Sequence, residues 1–91
     1  PIQFMNGTTT AWIEKGPKRV TIAGEPHDLV SLIPLSENVT EIETKYLQYP
    51  LHKETLVPGN PRGVSNVFLK KNVEVTFRKG TLLFVHIDRQ K

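Results

Sequence analysis

Three places in the chain set a histidine close to a carboxylate: His27-Asp28, His52-Lys53-Glu54, and His86 with Asp88 two residues on. Such a neighbour can orient an imidazole for proton transfer or for metal binding. No pair has the HExxH or HxH spacing that would bring two imidazoles to one metal ion. The sequence has no Cys, so disulfides, thiolate catalysis, iron–sulfur clusters and Cys-ligated zinc are excluded. His86 and Asp88 fall on one side of a strand and can pair. Without a nucleophile in a recognisable context they form a pH-sensitive surface contact and not a catalytic dyad. The expectation is therefore a protein without catalytic residues, metal or cofactor, and not an enzyme.

The run Pro58-Gly59-Asn60-Pro61-Arg62-Gly63 has the glycines of a phosphate cradle. Its two prolines remove amide donors that a cradle needs, and no Lys-Ser/Thr follows Gly63. Asn60 and Arg62 are expected instead at a protein contact, where the Arg62 fork would grip a carboxylate or phosphate. The opening Pro1-Ile2-Gln3-Phe4 resembles the start of the tautomerase family, in which the amine of Pro1 is the catalytic base. The resemblance ends after four residues, because Asn6-Gly7-Thr8-Thr9-Thr10 continues as strand-like sequence where a tautomerase has a long helix. Asn6-Gly7-Thr8 and Asn38-Val39-Thr40 match the glycosylation triplet, and read as polar turns.

A second set of residues is basic. The first 46 residues hold four basic against six acidic groups, whereas residues 47–91 hold eight against three, within a net charge of +3. Lys70, Lys71, Arg78, Lys79 and Arg89, with Trp12 as a stacking platform, are the residues a small β-domain would turn to nucleic acid. Lys70-Lys71 and Arg78-Lys79 flank one strand, which holds them about 20–25 Å apart.

These residues must be positioned by short elements, because Gly and Pro interrupt the chain at close intervals and the intervening segments are rich in Thr, Val, Ile and aromatics. The pattern predicts an all-β fold, a small barrel or sandwich of about 6–7 short antiparallel strands in one domain over 1–91. Strands are expected at 9–14, 18–23, 28–33, 39–47, 66–78 with a break, and 81–88. Segment 39–47 also admits a helix, since Asn38 and Glu41 sit as a capping pair with Val39, Ile42 and Tyr46 near helical spacing; the β-branched content favours extension. Segments 9–14 and 18–23 read as a hairpin about Lys15-Gly16-Pro17. The last segments read as a hairpin over 72–88, with Gly80 in the left-handed conformation and Phe77 opposite Thr81. That register gathers Val73, Val75, Phe77, Leu83, Val85 and Ile87 on one apolar face, and leaves Leu82, Phe84 and His86 beside Glu74 and Thr76 on the other. Either another layer of the fold or a partner must cover Leu82 and Phe84. Residues 50–63, with three prolines and two glycines, read as one long loop of the kind that usually binds something.

The longest apolar run is Leu82–Val85, far short of the roughly 20 residues that cross a bilayer. No basic and apolar leader opens the chain, which with the lack of Cys reads as a soluble, intracellular protein. Together these features predict a non-enzymatic protein-interaction or assembly module, self-associating or part of a larger complex. Its interface would be Leu82, Phe84, His86, Arg62 and Asn60. The alternative is a basic β-barrel that binds nucleic acid; neither reading includes a membrane or a small-molecule cofactor.

Overall fold

A computed structural model describes residues 3–6, 9–35 and 37–88. Nine strands are present among them: β1 Gln3–Asn6, β2 Thr9–Lys15, β3 Lys18–Ala23, β4 Leu29–Pro34, β5 Val39–Lys45, β6 Glu54–Leu56, β7 Asn66–Val67, β8 Asn72–Phe77 and β9 Thr81–Ile87, with a short 3-10 turn at Pro61–Gly63. They form two antiparallel sheets, ordered β1-β2-β9-β4-β7 and β3-β8-β5-β6. The all-β reading holds. Among the described residues no sheet closes into a barrel, and the strands are more numerous than the six or seven expected, because β1 and β6 lie outside the segments read as strands.

Neither expected hairpin forms. β2 pairs with β9 while β3 pairs with β8, so Lys15-Gly16-Pro17 carries the chain from one sheet to the other. Likewise β8 and β9 lie in different sheets, and Thr81 faces Lys15 instead of Phe77. The Arg78-Lys79-Gly80 connection is an arch. Gly80 does take a positive φ, of 106°, and a Cβ there would lie 2.5 Å from the Asn38 carbonyl oxygen, so the arch admits no side chain at this point. Its carbonyl accepts from the Gly16 N–H at 2.9 Å, tying the two crossings together.

The arch changes which residues face inward. Val73, Val75 and Phe77 of β8 are buried as expected, but from β9 it is Leu82 and Phe84 that enter the core. Leu83, Val85 and Ile87 are half-buried on the outer face of the first sheet. The Phe77 and Phe84 rings meet across the two sheets, 6.5 Å apart and tilted by 46°. One hydrophobic cluster joins these residues to Val30 and Leu32 of β4 and to Val39 and Ile42 of β5.

β5 is a strand, and its helix-like spacing has a local cause. Glu41 has a φ of 53°, and the pairing with β6 shifts between Val39 and Ile42. A bulge there turns two residues three apart to the same side, so both are fully buried. The stretch from Pro50 to Gly63 is also less open than expected. Leu51 and Leu56 are buried in the core, and β6 adds a strand to the second sheet.

Candidate functional site

After β5 the chain runs back against the segment that contains β7. The Leu69 N–H donates to the Tyr46 carbonyl at 2.9 Å, Leu47 bridges Phe68, and the Gln48 N–H donates to the Val67 carbonyl at 2.9 Å. Asn66 closes this ribbon. Its side chain accepts from the Tyr49 N–H at 2.9 Å and donates to the Tyr49 carbonyl at 2.7 Å, and it is only 2% exposed. A buried amide with both ends engaged fixes the backbone it holds. The residues at the two starts of the ribbon, Tyr46 and Ser65, have φ of 74° and 58°. Left-handed non-glycine residues cost about 1–3 kcal/mol each and persist where the surroundings over-determine them. Here the surroundings hold three large apolar side chains out of the core, with Tyr46, Tyr49 and Leu69 all about half exposed. The Lys70 ammonium lies 6.0 Å over the Tyr46 ring, which leaves the Tyr49 ring as the open aromatic surface.

Behind the ribbon lies a buried histidine–carboxylate hydrogen bond. His86 Nε2 is 2.8 Å from Asp28 Oδ2, and the same carboxylate oxygen accepts from the Glu25 N–H at 3.0 Å. Phe68 stacks on the His86 ring at 5.0 Å and 10°, and its N–H donates to the Asp28 carbonyl at 2.8 Å. Phe68 thus belongs to the Tyr49 ribbon on one side and to the His86–Asp28 contact on the other. The sequence pairs His86 with Asp88; the fold supplies Asp28 instead. No group of three His, Asp or Glu able to hold a metal ion occurs among the described residues.

A second concave region, of about 420 Å³, lies between β2 and β3. Trp12 and Glu14 line it from β2, Thr21 from β3, and His86 closes one end. Trp12 is half-buried and stacked on Phe84 at 5.2 Å and 9°.

The residues expected at an interface are dispersed. Leu82 and Phe84 are covered by the second sheet, which leaves no surface there for a partner. Arg62 makes a two-pronged contact to Glu54, with Nε and Nη2 each 3.1 Å from a carboxylate oxygen, and Asn60 accepts from the Arg62 N–H at 3.0 Å. Both therefore shape their own loop. Of the basic set, Lys70 and Lys71 precede β8, Arg78 and Lys79 follow it, and Arg78 lies 3.9 Å from Glu41; Arg89 is outside the described residues. No helix among the described residues is long and apolar enough to cross a membrane. Sequence reasoning missed Tyr49 and Asn66, and it set Asp28 beside His27 where the fold sets it against His86. A usable signal was present in Lys45-Tyr46-Leu47-Gln48-Tyr49-Pro50, where two tyrosines flank a single core-type residue.

Residues 14–82 match the model of the family described as thiamin pyrophosphokinase, vitamin B1 binding domain. Among solved structures, thiamine pyrophosphokinase from Bacillus subtilis superposes with a TM-score of 0.87 at 20% identity, over 97% of this chain and 42% of that one. The Geobacillus thermodenitrificans thiamin pyrophosphokinase gives 0.84 at 20% identity, over 100% and 42%. A thiamin pyrophosphokinase family protein from Enterococcus faecalis gives 0.77 at 17% identity, over 97% and 40%. At these identities the likeness is one of fold, and the chain spans about two fifths of the length of those structures. No curated protein matches in sequence. The family match overturns the non-enzymatic assembly module, its nucleic-acid alternative, and the expectation of no small-molecule cofactor. It points to an enzyme-related domain whose family is described by the vitamin it binds.

Proposed function

Because the chain belongs to the thiamin pyrophosphokinase, vitamin B1 binding domain family, we propose that it is the part of a thiamin pyrophosphokinase that holds thiamin, and that thiamin rests on Tyr49. The observation that carries this reading is the extent of the family match. Residues 14–82 include the whole Tyr46–Tyr49 and Asn66–Lys70 ribbon but only part of the second cleft, whose Glu14, Thr21, Ile22 and Ala23 lie inside the match and whose Thr10, Trp12 and His86 lie outside it. A binding surface common to the family belongs in the part the family shares.

The chemistry supports the same place. Thiamin joins a flat aminopyrimidine to a thiazolium cation, and an exposed aromatic ring offers such a molecule both stacking area and a favourable quadrupole. Tyr46 is less suited, because the Lys70 ammonium already stands over its ring and would repel the thiazolium. Asn66 keeps Tyr49 in one orientation before thiamin arrives, so less ordering is left for the binding step. The transfer of the pyrophosphoryl group is assigned to the rest of the enzyme. The single hydrophobic cluster supports reading 1–91 as one domain within it.

Calorimetric titration of the chain with thiamin tests the proposal. Tyr49→Ala weakens binding about tenfold while leaving the melting temperature unchanged, as expected for one aromatic contact worth roughly 1–2 kcal/mol. Equal affinities for the native chain and the variant would refute the placement.

A further inference from the structure

The cleft between β2 and β3 lies beside the thiamin surface and has its own chemistry. Its volume of about 420 Å³ falls within the range of small-molecule pockets, roughly 300–1,000 Å³. The first sheet extends past β2 to β1, whereas the second ends at β3, so the inner side of β2 overhangs an open strand edge. Trp12 forms the aromatic wall of this overhang. One side of its indole is locked by the stack on Phe84, which is fully buried, so the wall is rigid.

The polar groups in the cleft are mainly acceptors. Glu14 contributes a carboxylate that lies 3.5 Å from Lys18 Nζ, an ion pair in which the Lys18 side chain is 46% and the Glu14 side chain 23% exposed. Exposed pairs of this kind are worth about 0–1 kcal/mol, so Lys18 yields readily to a better-placed cation. At the inner end His86 is fixed by Asp28 through Nε2. With the Asp28 carboxylate accepting, Nε2 carries the proton, and Nδ1 of a neutral ring is an acceptor. Hydroxyls of Thr10 and Thr21 complete the lining. A rigid aromatic wall with a carboxylate at one end and an imidazole at the other calls for a flat ring that carries N–H donors.

We propose that this cleft is a second ligand site, separate from the thiamin surface, for a planar aromatic molecule bearing an amino or amidinium group. The ring lies along Trp12 and the nitrogen donors reach the Glu14 carboxylate.

The chain contains one tryptophan, so occupancy is read directly from Trp12 emission. Benzamidine, a planar ring with an amidinium, is the probe. Titration into the 91-residue chain gives a saturable change in emission, and Glu14→Gln, which keeps the shape and removes the charge, weakens it about tenfold. Tyr49→Ala leaves the benzamidine response as in the native chain, which separates this site from the thiamin surface. The proposal is overturned by an emission change that does not saturate, by one that Glu14→Gln leaves intact, or by one lost in Tyr49→Ala.

Discussion

His86 and Asp28, 58 residues apart in the chain, meet at 2.8 Å, and Phe68 both stacks on the imidazole and bonds to the Asp28 carbonyl. The contact joins β9 of the first sheet to the turn before β4, at the side of the ribbon that presents Tyr49. It is the deepest polar contact of the candidate site, with Asp28 1% exposed.

Asp28→Ala removes the acceptor of both His86 Nε2 and the Glu25 N–H. Leaving two such donors without it costs about 2–4 kcal/mol, which urea denaturation will register as a lower midpoint with an unchanged slope. A variant as stable as the native chain would show that water replaces the carboxylate.

Asn66→Asp tests the ribbon. The new carboxylate keeps the acceptor for the Tyr49 N–H but sets an oxygen, not an N–H, against the Tyr49 carbonyl 2.7 Å away. Thiamin affinity measured by calorimetry falls by about tenfold or more, and the fold loses roughly 1–3 kcal/mol. Retained affinity would mean that the Tyr49 backbone needs no such support.

Phe84→Glu does not release a folded monomer from an assembly. Phe84 is fully buried between Trp12 and Phe77, and a carboxylate there has no water and no partner. The variant loses its strand spectrum in circular dichroism. Phe84→Ala, losing about 3–5 kcal/mol, remains measurable by denaturation and gives the size of the contact.

Arg62→Ala tests the loop turned toward Glu54. Its ion pair is 3.1 Å long but largely solvated, with side chains 42% and 34% exposed, so the loss is below about 1 kcal/mol in a denaturation curve. Leu56→Ala in the same stretch, at a fully buried position, costs about 2–5 kcal/mol. The contrast locates the loop's anchor in its leucines and not in its charge.

These outcomes follow where sequence and structure part. Punctuation and alternation are local properties, so the main strands were legible, and so was the inward face of β8 with Val73, Val75 and Phe77. Pairing is not local. Alternation states that β9 has two faces but not which is inner, and that choice depends on whether Arg78-Lys79-Gly80 folds back within one sheet or arches to the other. The misread turn exchanged Leu82 and Phe84 for Leu83, Val85 and Ile87. In β5 the Glu41 bulge produced the spacing that resembled a helix. The candidate site was hardly legible, because Asp28 with His86 and Tyr49 with Asn66 are partners that only the completed fold brings together, and their types are ordinary in any β-domain.

The two arches that separate β2 from β3 and β8 from β9 also govern how the chain reaches this state. Strands that follow one another across Gly16 and Gly80 find their partners far away in sequence, so neither connection can zip up as an early local nucleus. Closure of long loops must come before the contacts that reward it. Folding therefore belongs in the millisecond-to-second regime of sandwiches rich in non-local pairing, with a rate set by the docking of the two sheets more than by any one turn.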